Sequence, residues 1–64
     1  MKYRLCEIRL DRGGYDSTGA YWGVDQRLYE WSDDNGNIEI FRAKDRNAAK
    51  EIVRAIFPDA KFYR

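Results

Sequence analysis

Two sets of charged residues carry the chemistry legible in this chain. Glu30, Asp33, Asp34 and Glu39 form an acidic set, and Lys44, Arg46, Lys50 and Arg54 form a basic one. Paired carboxylates can hydrolyse glycosides when a cleft holds the sugar and raises one pKa. A chain of 64 residues rarely builds such a cleft. It has no histidine, which removes imidazole acid–base chemistry. Ser17 and Ser32 stand in no recognisable nucleophile motif. The expectation is a protein that is not an enzyme. Asp33, Asn35 and Asn37 have the one-three-five spacing of a calcium loop, but Ile38 stands where glycine is required and Lys44 where glutamate is required. Neither a metal nor another cofactor is expected. What remains is recognition. The carboxylates would face a basic groove, and the cations would meet phosphate or an acidic protein surface.

The two sets belong to segments of opposite sign. Residues 1–41 hold 5 Lys/Arg and 8 Asp/Glu, whereas residues 42–64 hold 7 and 3. The formal net charge of +1 hides this asymmetry, which concerns partners and steering rather than fold.

The elements that must position these residues follow from apolar periodicity. Lys2–Leu10 reads as a strand with Tyr3 and Leu5 on one face and Cys6, Ile8 and Leu10 on the other. That change of parity suggests a bulge or a strand buried on both faces. Asp11–Gly19 is a glycine-rich loop. Ala20–Ser32 resumes strand character, with a break expected at Asp25–Arg27. Asn35-Gly36 predicts a two-residue type I′ hairpin, because both residues tolerate positive φ. That turn opposes Trp31 to Ile40 and Glu30 to Phe41. It puts Tyr29, Trp31, Ile38 and Ile40 on the core face and Glu30, Ser32, Asp34 and Glu39 toward solvent, with Phe41 stranded among them. Asp45 is the expected N-cap of a helix over 46–56, whose Ala49, Ile52, Val53 and Ile56 form a buried stripe. Pro58 stops it. Ala60–Tyr63 leaves room for a short last strand. The predicted fold is therefore one α+β domain over residues 1–64. A three- or four-stranded antiparallel sheet carries one helix across a face, in the order β-β-β-α.

On that helix Arg46, Lys50 and Arg54 stack at i, i+4 and i+8. Arg46 lies in the first turn, where the helix dipole disfavours a cation. The same spacing also describes an ordinary solvated face. Arg12-Gly13-Gly14 is a single RGG copy, and its glycines serve the loop backbone. Tyr15, Tyr21 and Trp22 flank the loop as core residues, interface anchors or base-stacking platforms. Cys6, the one cysteine, permits no internal disulfide and is expected to be a small buried hydrophobe. No run of about 18 apolar residues could span a membrane, and no apolar signal region follows Lys2. These features predict a cytoplasmic protein.

The stretches RLDRGGYDSTGAYWG, FRAKDRNAAK and PDAKFYR are similar to motifs of short phage and prophage proteins. The resemblance covers about residue 8 to residue 64. Some small proteins of this size and origin are anti-CRISPR inhibitors of type I surveillance complexes. The resemblance thus implies a non-enzymatic protein that binds such an effector complex in a bacterial host and keeps target DNA out. Such complexes present basic channels for nucleic acid, which the acidic set would enter. The basic ridge implies a small nucleic-acid-binding accessory protein instead, and a structural or regulatory phage subunit is a third expectation. The sequence leaves the oligomeric state open.

Overall fold

The computed structural model describes residues 2–63. Its elements are β1 (Lys2–Ile8), β2 (Arg27–Ser32), β3 (Ile38–Ala43), α1 (Arg46–Ile56) and β4 (Lys61–Phe62). The strands form one sheet in the order β3-β2-β1-β4, with α1 packed on it. This is the α+β fold expected, with one change. The pairs β1–β2 and β2–β3 are antiparallel, but β4 runs parallel to β1, so the sheet is mixed. The connection explains it. α1 carries the chain from β3 at one edge to β4 at the other, and a helical crossover returns it in the direction it left.

The helix begins where Asp45 accepts a hydrogen bond from the Ala48 N–H at 2.8 Å, and it ends at Phe57 before Pro58. Its buried line is narrower than the predicted stripe. Ala49 and Val53 are buried, whereas Ile52 and Ile56 are exposed. At 100° per residue the latter pair lies toward the flank opposite the three cations. The helix rests on Tyr3 and Leu5 of β1, Tyr29 and Trp31 of β2, and Phe41 and Ala43 of β3. At the centre, Tyr3 stacks on Phe57 at 5.0 Å, and Trp31 meets both rings edge-on.

The β2–β3 register differs by one residue from the sequence expectation. Trp31 pairs with Glu39, Glu30 with Ile40 and Tyr29 with Phe41. A shift of one reverses the faces of a strand. Ile38 and Ile40 are therefore 58% and 40% exposed on the open face, away from the helix, while Phe41 and Ala43 reach the core. The cause is the turn. Only Gly36 has a positive φ, so Asn35-Gly36 does not form a type I′ pair. Three residues, Asp34 to Gly36, cross between Asp33 and Asn37, whose backbones bond at 3.0 Å. A glycine in the left-handed region ends such a three-residue hairpin.

One expectation for β1 also changes. Cys6 is exposed, because Tyr3 and Leu5 take the core parity and Cys6 shares the open face with Arg4. Ile8, on that same face, is half-buried.

Candidate functional site

The connection from β1 to β2 runs over residues 9–26, longer than the ~12–15 residues at which structureless loops become uncommon. It is built from two tandem turns. Asp11 Oδ1 accepts from the N–H groups of Gly13 and Tyr15 at 2.8 and 3.0 Å. Asp16 Oδ1 accepts from those of Thr18 and Ala20 at 2.9 and 3.0 Å. Gly14 and Gly19 follow, each three residues after its aspartate and each with a positive φ. The turn at Asp33 repeats this arrangement, with bonds from Asn35 and Asn37 and a positive φ at Gly36. One local unit, Asp-x-x-Gly, thus occurs three times.

The second unit is the tip of a small hairpin. The Asp16 N–H donates to Ala20, Tyr15 bridges Tyr21, and Trp22 and Gly23 both donate to the Gly14 carbonyl. A Cβ on Gly14 would lie 2.6 Å from the Gly23 carbonyl carbon, so the two backbones meet where only glycine fits. The Trp22 indole donates to Asp16 Oδ2 at 2.8 Å, and the Thr18 hydroxyl to Oδ1 at 2.6 Å. These donors hold the Asp16 carboxyl down at about 2, the Thr18 hydroxyl contributing most. Arg42 of β3 ties the hairpin to the sheet through the carbonyls of Gln26 and Trp22. Leu28, which points to the open face, is buried beneath this connection.

The hairpin displays aromatic rings. Tyr15 and Tyr21 lie 5.0 Å apart and are well exposed, and Trp22 is 37% exposed. None of the three belongs to the core cluster, which overturns their reading as core residues. A loop already held by its own backbone bonds loses little further conformational freedom on binding.

The acidic set is dispersed. Glu30 is half-buried on the open face, whereas Glu39, opposite Trp31, points to the helix side and not to the face where it was expected. Asp33 is buried within its own turn, where the Asn37 side-chain amide leads the donors that hold its carboxyl below the usual range. This explains the calcium-like spacing: Asp33 faces the N–H groups of Asn35 and Asn37. Asp34 pairs with Arg4 at 3.1 Å and accepts from the Tyr63 hydroxyl.

The basic set is closer together. Arg46 donates to the Leu5 carbonyl at 2.8 Å, and Lys50 and Arg54 flank the Phe62 ring at 5.9 and 5.3 Å. The ridge therefore faces β4 instead of pointing away from the sheet. Lys44 is exposed ahead of the Asp45 cap. Among the described residues, no cluster of three or more His, Cys, Asp or Glu could hold a metal ion, and no helix is long and apolar enough to cross a membrane. Comparisons with protein-family models, curated proteins and solved structures found no match.

Sequence reasoning missed the hairpin, although its signal was present. Asp11, Asp16 and Asp33 each precede a glycine by three residues, and the first two units adjoin.

Proposed function

We propose that this chain is a non-enzymatic binding protein that docks on a protein partner through the aromatic hairpin at residues 14–22. One observation carries the reading. Tyr15, Tyr21 and Trp22 are exposed on a segment that is internally bonded and tied to the sheet. Exposed aromatics on a rigid support are the residues that dominate protein interfaces. The stretches RGGYD and YWG, which resemble motifs of short phage proteins, lie at the two arms of this hairpin. Their resemblance makes a type I CRISPR effector complex the partner of choice, with exclusion of target DNA as the outcome.

The test is titration of the effector with the purified protein, read both as binding and as loss of target-DNA affinity. The expected result is a complex that Trp22→Ala weakens by roughly 30-fold or more, the range of an interface hot spot. Wild-type affinity in Trp22→Ala would remove the hairpin. No binding to any host effector, with interference in cells unchanged, would remove the partner.

A further inference from the structure

We propose a second surface: the border made by β4, the adjoining half of β1 and the flank of α1 binds the phosphodiester backbone of nucleic acid. This does not rest on the aromatic hairpin. Six of the 12 Lys and Arg residues converge there. Lys2, Arg4 and Lys61 stand on the open-face side of the border, and Arg46, Lys50 and Arg54 on the helix side. The sequence showed only the helical half of this group.

Lys2, Arg46, Lys50 and Arg54 are held without being neutralised. Lys2 and Arg4 lie 5.3 and 4.8 Å from the Tyr63 ring centre, and Lys50 and Arg54 flank Phe62. Arg46 is fixed by the Leu5 carbonyl. Among the described residues the one ion pair is Arg4–Asp34, so the other five cations of the border keep their charge. A ring or a carbonyl positions a cation and leaves it available, whereas a carboxylate would cancel it.

Two placements work against stability. Lys2 and Lys61 are register neighbours, and like charges opposed across strands repel. Arg46 occupies a first helical turn that contains no acid. A bound polyanion relieves both. Arg46 to Arg54 spans about 12 Å at 1.5 Å per residue. One strand of a duplex carries a phosphate about every 3.4 Å of axis, so three cations face three or four phosphates. A protein partner would instead need an apolar anchor at the centre. The two rings here are half-buried and flanked by the chain's own cations.

Fluorescence anisotropy with a labelled single strand and its duplex, from ~50 to ~200 mM salt, tests this. Five unpaired cations predict a log–log salt slope of about −3.5 for the single strand and about −4.5 for the duplex. The two arms show which form is preferred. Lys50→Glu with Arg54→Glu, or Lys2→Glu with Lys61→Glu, should flatten the slope by about 1.5. Arg27→Glu, at the far end of the sheet, should leave it unchanged. Lys50→Gln with Arg54→Gln serves if a reversed pair fails to fold by circular dichroism. No binding at ~50 mM salt would overturn the proposal. So would equal weakening by Arg27→Glu, or polyglutamate binding as tight as that of DNA.

Discussion

Asp16 and Asp33 close the same turn with the same bonds, yet the two hairpins do opposite things. Each aspartate accepts the N–H groups at i+2 and i+4, and each turn has a positive-φ glycine at i+3. The Asp33 turn joins two six-residue strands, and the aromatic residue beside it, Trp31, enters the core. The Asp16 turn joins single-bridge arms, and its tryptophan stays at the surface, bonded back to the turn. Turn chemistry thus sets local geometry alone. Whether the flanking rings stabilise the fold or are displayed depends on whether a second layer covers them. Here α1 covers one hairpin and not the other.

The two tryptophans give the largest test of that contrast. Trp31→Ala removes a ring packed on Tyr3 and Phe57 and should cost about 3–5 kcal/mol. In a small domain that is a large share of total stability. Trp22→Ala removes one solvent-exposed hydrogen bond to a carboxylate and should cost clearly less than Trp31→Ala. Urea denaturation measures both. Equal losses would mean that the display hairpin belongs to the cooperative core, and the contrast would fail.

The glycines sharpen it next. Gly14 and Gly36 share a positive φ, which costs another residue about 1–2 kcal/mol. An added Cβ meets nothing within 4 Å at Gly36 but meets the Gly23 backbone at Gly14. Gly36→Ala should therefore show the conformational cost alone. Gly14→Ala should add about 1–3 kcal/mol of overpacking. It should also speed amide exchange at Trp22 and Gly23, which donate to Gly14. Equal losses in the two variants would mean that the Gly14–Gly23 approach carries no weight.

The same contrast explains what could be read from the chain. The helix and its Asp45 cap were legible because periodicity and capping act over a few neighbouring residues. The β2–β3 register was not. Asn35-Gly36 satisfied the I′ rule, but the Asp33 carboxylate bonds Asn35 and Asn37 and selects a loop one residue longer. Phe41, stranded by the shorter turn, was the sign of the error, and the longer loop returns it to the core side. The basic ridge was visible as an i, i+4, i+8 pattern, but Lys2, Arg4 and Lys61 join it only through β4 pairing parallel to β1. Parallel pairing between the two ends of a chain leaves no local signature.

Acid gives the smallest effect and separates the hairpins by what holds each carboxylate. Asp16 is lowered from 3.8 to about 2, first by the Thr18 hydroxyl and then by the Trp22 indole. Asp33 is lowered chiefly by the Asn37 side-chain amide. A carboxyl lowered on folding contributes stability above its unfolded pKa, and that contribution fades as pH falls through the folded value. For Asp16 the window runs from about 4 down to about 2. The Trp22 indole N–H resonance should titrate with a midpoint near 2, and Asp16→Asn should flatten the curve. Read at the Ala20 amide, which also bonds Asp16 and is kept in both variants, Thr18→Val removes the leading donor and should move the midpoint toward 3.8 further than Trp22→Phe does. The Asn37 resonances should not follow either change, because their carboxylate is Asp33. A wild-type midpoint at 3.8 would mean that the Asp16 bonds do not hold in solution. The aromatic rings would then lose the rigid support on which their role in docking depends.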